Sequence, residues 1–264
     1  MHLAKSSALA HIYSLQIEDR VMETDFHTPT ISDAQEIASQ LVGAFPAIDA
    51  VLLFGSVARG DANPWSDIDL LVTSSDPKLT VAELRNVIAE RGHVSLAYYR
   101  TPSFARLCQR NSSFIAHLKK EGVVLFDSVG LLSRMQNSPS FTKSEVAEEM
   151  MHYRAKLTAY RHPERYNNNF LFALSHLYSI GKGVIMLGLA SQGTPEFNRD
   201  AAFERFATLN PDLAEQVTTV ARLRPFYRMV NNRKREPLPF SYHDAATKME
   251  EAANAIDFLA ERSI

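Results

Sequence analysis

The chain has 264 residues, of which 45% are hydrophobic and 22% are charged, a composition that supports one large folded domain or two domains of roughly 100–150 residues. Its net charge of −2 is not typical of a general nucleic-acid binder, although it leaves room for a local basic patch. The single cysteine, Cys108, excludes an intramolecular disulfide and a cysteine-rich metal site, and it is expected to pack in the interior.

The N-terminal residues 1–30 are predicted to form a helical segment. They lack the apolar core of about 7–15 residues that a secretory signal requires, and no run in the chain approaches the ~20 apolar residues of a membrane span. These features predict a cytoplasmic protein without a membrane partner.

Helical and strand-like stretches alternate in the first half of the chain. A helix should run from Ser32, with Gln35 as its capping-box partner, to about Phe45, because Pro46 ends it. The pattern then predicts a buried strand at 47–54, a turn-rich loop, a strand at 67–74, a helix at 76–93, a strand at 94–100, helical residues at 102–120 and a short strand at 122–126. This order is typical of an α/β domain, which we assign to residues 31–130.

A segment rich in Ser, Gly and Pro, residues 128–143, separates the two halves of the chain. Beyond it the pattern predicts helices at about 143–161, 165–189, 197–208, 211–231 and 241–262. The second of these is expected to be the buried centre of a bundle, with His176 packed inside it. The predicted fold class is therefore α/β (α+β), with a small mixed-sheet domain followed by an all-α helical bundle at 143–264.

Two aspartates, Asp67 and Asp69, stand one residue apart at the start of the second strand. Residues i and i+2 of a strand point to the same face, so the two carboxylates should project together while Ile68 and Leu70 point into the core. Such a pair suits a hard cation such as Mg²⁺, which is commonly bound by one or two carboxylates and substrate phosphates.

A Gly-Ser pair, Gly55 and Ser56, follows the first strand, and ten residues separate it from Asp67. Its backbone N–H groups and hydroxyl could hold phosphate oxygens beside the metal. A lone Asp-x-Asp would more simply be a solvent-facing strand edge, and a lone Gly-Ser a turn. The occurrence of strand, Gly-Ser, spacer, Asp-x-Asp and second strand in this order favours a nucleoside triphosphate site.

The stretch FGSVARGDANPWSDIDLLV resembles the nucleotidyltransferases of the DNA polymerase beta superfamily, whose mark is a strand ending in Gly-Ser, about ten residues, and Asp-x-Asp. The resemblance covers about residues 31–127, including FIAHLKKEGVVLF. A small domain of this kind followed by helices resembles kanamycin nucleotidyltransferase and other aminoglycoside-modifying relatives. It also resembles the minimal nucleotidyltransferases that associate with helical HEPN-type partners.

This resemblance implies transfer of a nucleoside monophosphate, usually AMP from ATP, to a hydroxyl group, with release of pyrophosphate. Asp67 and Asp69 would be the catalytic residues and would hold one or two Mg²⁺ ions. Gly55 and Ser56 would bind the β- and γ-phosphates. Arg59 is either a second phosphate contact or a solvated loop arginine.

Many members of the superfamily carry a third carboxylate on the next strand, where it binds metal or acts as the general base. The expected positions here are Ser95 and Ala97, and neither is acidic. A base from elsewhere or weak turnover is therefore expected. Other acidic residues offer alternatives: Glu90 at a helix end, and three that open the helical half, for which an acidic first helical turn is the simpler interpretation. These three are Glu145, Glu148 and Glu149.

Two further patterns leave the partner open. Arg110 and His117 have the Arg-x6-His spacing of HEPN ribonucleases, but they lie in the wrong half of the chain. The basic stretch from Arg222 to Arg235 could contact RNA or a triphosphate, or could be a solvated surface. Two classes of function remain: an enzyme that modifies a small hydroxylated molecule such as an aminoglycoside, and an antitoxin-like or regulatory module that modifies a protein or RNA partner or binds nucleotide without turnover.

Overall fold

The computed structural model describes residues 27–64, 66–89, 91, 94–109, 112–137, 142–166, 169–231 and 241–263. These residues fall into two compact units that divide between residues 141 and 142. We call them the sheet unit and the helical unit. Most of the predicted N-terminal helical segment, residues 1–26, lies outside the described residues.

Four strands form the sheet of the described residues, in the order β3-β2-β1-β4. Strand β2 runs parallel to β3, and the two other pairings are antiparallel, so the sheet is mixed as predicted. Each strand begins and ends within one residue of its predicted position. The strands are β1 (Ile48–Phe54), β2 (Ile68–Ser74), β3 (Val94–Arg100) and β4 (Val123–Asp127).

Helices cover both faces of this sheet. Strand β1 is buried along its whole length, because apolar side chains pack against it from both sides. Ile68 and Leu70 are buried on the face of α1 and α3, as predicted, while Leu71 and Phe104 belong to the core on the face of α4, α5 and α6. The helices are α1 (Ile31–Ala44), α2 (Gly55–Arg59), α3 (Val81–Val87), α4 (Thr101–Gln109), α5 (Ser113–Glu121) and α6 (Leu131–Gln136).

Side-chain caps explain where the structure departs from the predicted helices. Helix α1 is capped by Thr30 with Asp33, and not by Ser32 with Gln35. Helix α3 begins only at Val81, because Thr80 and Glu83 form a capping box there.

The helical stretch predicted at 102–120 is two helices, since Ser112 caps α5. The predicted loop at 55–66 contains the short helix α2.

The helical unit contains helices throughout its described residues and confirms the predicted all-α half. The stretch predicted at 211–231 is divided into a 3-10 turn from Pro211 to Leu213 and two helices. The two helices are separate because Pro225, at the start of the second, lacks the N–H that continuation would need. The helix predicted at 143–161 ends in a 3-10 turn from Thr158 to Arg161. The helices are α7 (Lys143–Leu157), α8 (Phe170–Ser191), α9 (Arg199–Leu209), α10 (Ala214–Ala221), α11 (Arg224–Asn231) and α12 (Tyr242–Arg262).

Helix α8 is the buried centre of this unit. By length and composition it could cross a membrane, which corrects the expectation that no segment approaches such a span. However, 61% of its apolar window is buried inside the unit, and such burial is typical of a core helix. Glycines allow its neighbours to approach closely: a Cβ at Gly181 would lie 2.5 Å from Val220 Cγ1, and one at Gly188 would lie 2.5 Å from Phe206 Cε2.

Replacing Gly181 by alanine should destabilise the protein by about 1–3 kcal/mol, because the added methyl group would overlap Val220 in a packed core. The matched control is Gly43→Ala in helix α1, where nothing lies within 4 Å of the added Cβ. The control should be neutral or gain up to about 1 kcal/mol from better helix propensity. Chemical denaturation followed by circular dichroism measures both, and equal midpoints would contradict the close packing of α8.

Candidate nucleotide and metal site

The predicted Gly-Ser turn is the direct junction between strand β1 and helix α2. Gly55 adopts a φ of +77° and starts the helix with no residue between it and Phe54. A Cβ at this position would overlap the Asp69 carboxylate, with Asp69 Cγ only 3.1 Å away. Only glycine satisfies both requirements, because it tolerates the positive φ and has no side chain to displace the carboxylate. The backbone of Gly55 therefore lies directly against Asp69.

The two aspartates lie at the beginning of strand β2. Asp67 immediately precedes the strand and is exposed, and Asp69 is half-buried within it. In the register, Asp69 lies between Phe54 of β1 and Ser95 of β3. Ile68, between the two aspartates, is buried on the opposite face. This alternation is the one that the sequence predicts.

The donor set of this region fits a magnesium ion. The described residues contain no group of three or more His, Cys, Asp or Glu side chains arranged to hold a metal. Asp67 and Asp69 offer two carboxylates, and a cation bound to them would have further coordination positions open to water or phosphate oxygens. Mg²⁺ is commonly bound in this way, by one or two carboxylates together with a nucleotide.

Ser56 and Arg59 lie three residues apart in α2, so they share one side of this helix. Arg59 is not a solvated loop arginine, since only 20% of its side chain is exposed. Its Nε donates to Asp61 Oδ2 at 3.2 Å and its Nη1 donates to Glu121 Oε2 at 2.6 Å. Burial alone would lower the pKa of Arg59, but the hydrogen bonds to these carboxylates outweigh it and raise that pKa.

Glu121, at the end of α5, is a residue of this region that the sequence did not reveal. Its side chain is only 4% exposed, and Oε2 also lies 2.8 Å from His117 Nε2. Burial by itself would raise the pKa of Glu121. The hydrogen bonds to His117 and Arg59, with the electrostatic attraction to these side chains, outweigh that effect and hold the pKa of Glu121 below its ordinary value. No local motif marks Glu121, because Arg59 is 62 residues away in the sequence.

The two positions at which a third carboxylate was expected both lie on β3. Ser95 is the register partner of Asp69, and Ala97 is that of Leu71. Glu90 lies outside the described residues. Glu145 accepts hydrogen bonds from the backbone N (2.7 Å) and Oγ1 (2.8 Å) of Thr142 in the capping box of α7, which agrees with an acidic first helical turn.

Three other predictions from the sequence concern Arg110 with His117, Cys108 and His176. Arg110 of the Arg-x6-His pattern lies outside the described residues, and the His117 of this pattern lies 2.8 Å from Glu121 Oε2 through its Nε2 atom. Cys108 is buried, and burial raises the pKa of its thiol, as expected for a packing residue. His176 is exposed, although its ring is hydrogen-bonded to the Tyr160 hydroxyl, which corrects the prediction of a packed histidine.

The basic stretch from Arg222 to Arg235 offers no support for RNA binding. Both Nη atoms of Arg224 lie 3.0 Å from Asp200 carboxylate oxygens, so its charge is balanced locally. Residues 232–240, which include the last three basic side chains, lie outside the described residues.

Residues 31–114 match the family model of a nucleotidyltransferase domain. This match agrees with the predicted resemblance of this part of the chain to the nucleotidyltransferases of the DNA polymerase beta superfamily. No curated protein sequence matches the chain.

Solved structures extend the similarity beyond this domain. The spectinomycin adenyltransferase AAD(9) from Enterococcus faecialis, solved with ATP and spectinomycin, is 12% identical, and the match covers 86% of this chain and 99% of that one with a TM-score of 0.52. The two proteins therefore share a fold. A nucleotidyltransferase-like protein from Exiguobacterium sibiricum is 15% identical, and the match covers 87% of this chain and 75% of that one with a TM-score of 0.38. A toxin-antitoxin solved with AMP-PNP is 23% identical, and the match covers 39% of this chain and 87% of that one with a TM-score of 0.28.

The close approach of Gly55 to Asp69 predicts a specific effect of alanine at this position. Gly55→Ala should weaken Mg²⁺-dependent ATP binding at least about tenfold, equivalent to about 1.4 kcal/mol, because the methyl group would displace the Asp69 carboxylate. Gly60→Ala is the matched control: Gly60 also has a positive φ, +80°, but nothing lies within 4 Å of its added Cβ. Calorimetry with ATP and Mg²⁺ compares the two variants, and equal losses would attribute the effect to backbone strain.

Proposed function

We propose that this protein transfers a nucleoside monophosphate from a nucleoside triphosphate, with ATP as the expected donor, to a hydroxyl group of a small molecule. The observation that carries the proposal is the placement of the Gly55 backbone against the Asp69 carboxylate, beside Asp67, in a nucleotidyltransferase domain. It supports a site in which backbone N–H groups that could donate hydrogen bonds to phosphate lie close to carboxylates that could bind a metal.

Each residue of the site has a role in this proposal. The Gly55 backbone and the Ser56 hydroxyl bind oxygens of the β- and γ-phosphates, and Arg59 supplies a further donor from the same side of α2. Asp67 and Asp69 hold one or two Mg²⁺ ions. When bound, the metal neutralises charge on the triphosphate and favours departure of pyrophosphate. The acceptor hydroxyl attacks the α-phosphorus, and the bond to the bridging oxygen of pyrophosphate breaks.

A small hydroxylated molecule, such as an aminoglycoside-like compound, is the acceptor class that we propose. Support comes from the spectinomycin adenyltransferase, whose shared fold extends over 86% of this chain and thus into its helical unit. A protein acceptor and nucleotide binding without turnover are the alternatives to be tested.

In this proposal the general base is neither Ser95 nor Ala97, the two positions of β3 at which a third carboxylate was expected. Serine and alanine side chains do not accept a proton at neutral pH, so the proton of the acceptor hydroxyl must pass to another group or to water. Turnover slower than that of an enzyme with a carboxylate at this position is expected.

Substitution of a metal ligand tests the reaction itself. Asp67→Asn should lower transfer at least about 100-fold, because it removes a negatively charged ligand while conserving the shape of the side chain. Asp76→Asn is the control, since Asp76 follows the opposite end of β2 and accepts a hydrogen bond from the backbone of Lys78. The assay follows α-labelled ATP, CTP, GTP and UTP incubated with pooled aminoglycosides, total RNA or cell lysate.

The acceptor class is identified by whether the label appears in the small-molecule, protein or RNA fraction. Label in the small-molecule fraction, lost in Asp67→Asn, supports the proposal, whereas label in protein or RNA assigns a macromolecular acceptor. Binding of MgATP without transfer to any fraction would identify a nucleotide-binding protein without turnover. Absence of both binding and transfer would remove the proposed function.

Aspartate at position 95 tests the missing base. Ser95 is the register partner of Asp69, so Ser95→Asp would place a third carboxylate beside the metal ligands. Its transfer rate should equal or exceed that of the wild type at saturating Mg²⁺, because the cation offsets the added negative charge. A wild type that is inactive toward all acceptors, together with an active Ser95→Asp variant, would show that the natural chain is a degenerate binder.

A further inference from the structure

Glu121 is an almost fully buried carboxylate with two cationic or potentially cationic partners. Its Oε2 accepts from Arg59 Nη1 at 2.6 Å and lies 2.8 Å from His117 Nε2. Removing such a charge from water is costly, and replacing a buried ion pair by apolar side chains is often neutral or stabilising. Stability alone is therefore a weak explanation for a charged network at this position.

Helix α5 contacts the residues on both sides of the Gly-Ser junction. The ring of His117 packs edge-on against Phe54, with centroids 5.6 Å apart at 88°, and Phe54 is the last residue before Gly55. Glu121, one helical turn further along, holds Arg59, the last residue of α2. Gly55 and Ser56 lie between these two contacts. Helix α5 therefore contacts both ends of the segment that we propose binds phosphate.

The hydrogen-bond donors of the Arg59 guanidinium have different partners. Nε is bound to Asp61 and Nη1 to Glu121, while Nη2 makes no hydrogen bond within the part of the chain that the structure describes. The guanidinium is planar and rigid, so a carboxylate that fixes Nη1 also fixes the direction in which Nη2 points.

We propose that Glu121 is a positioning residue for the nucleotide: it orients the Arg59 guanidinium and holds α2, with His117 as its second partner, so that Ser56 and Arg59 present a fixed set of donors to the triphosphate. This inference rests on the proposed function and adds to it a residue that does not touch the substrate.

Charge and position predict opposite effects of removing the Glu121 charge, which makes the test decisive. Glu121→Gln conserves the shape but leaves the Arg59 charge less balanced, so electrostatic attraction alone would tighten triphosphate binding. If Glu121 acts by positioning, the same variant should raise both the KM and the Kd for MgATP about tenfold, with kcat changed less than about threefold. Glu36→Gln is the control, because Glu36 pairs with Arg91 at an exposed site of the same unit and should leave both constants unchanged.

A double-mutant cycle shows whether Glu121 acts through Arg59. In an Arg59→Lys background, which lacks the planar fork, Glu121→Gln should have little further effect on the Kd for MgATP. Additive effects would overturn the proposed route. Binding by Glu121→Gln that equals or exceeds that of the wild type would overturn the proposal altogether.

Two further outcomes are separated by the design. If Glu121→Gln does not fold, His117→Leu tests the proposal instead, because it conserves packing against Phe54 but removes one partner of Glu121. The Kd of this variant for MgATP should rise about threefold. An unchanged Kd would overturn the proposal. Failure of the proposed function has a different signature, because the wild type itself would then show neither Mg²⁺-dependent ATP binding nor any response to Asp67→Asn.

Discussion

The close approach of the Gly55 backbone to the Asp69 carboxylate is the constraint on which the candidate site depends. Strand β1 must end at Phe54, the register partner of Asp69, for the next residue to reach that carboxylate. The positive φ of Gly55 then leads directly into α2. Since any side chain at position 55 would overlap Asp69, the register of β1 against β2, the identity of residue 55 and the start of α2 are set together.

The carboxylates of the sheet unit differ in their surroundings. Asp49 is buried and held by side-chain hydroxyls, Asp127 accepts backbone N–H groups at the start of α6, and Glu121 is held by an arginine and a histidine. These three are enclosed by the protein's own donors. Asp67 is exposed and Asp69 is half-buried at one end of β2. The two aspartates that we propose as metal ligands are therefore more accessible to a cation than the buried Asp49 is.

The helical unit shows how close packing accounts for an apolar composition. Helix α8 has the length and hydropathy of a membrane span, yet most of its apolar window is buried among helices of its own unit. Its glycines remove the side chains that would hold neighbours apart, as at Gly181 against Val220 and Gly183 against Tyr153. An apolar helix with glycines at such contacts is suited to the centre of a bundle.

The sequence by itself determined the strands to within a residue and the alternation that buries Ile68 and Leu70 behind the two aspartates, because backbone geometry sets this pattern over a few neighbouring residues. The capping box from Thr80 to Glu83 was also visible in the sequence and would have placed the start of α3 correctly. Only the tertiary structure placed Gly55 against Asp69 and Arg59 against Glu121. These contacts depend on strand register and on the packing of α5 beside α2, which join residues distant in the chain and leave no local pattern.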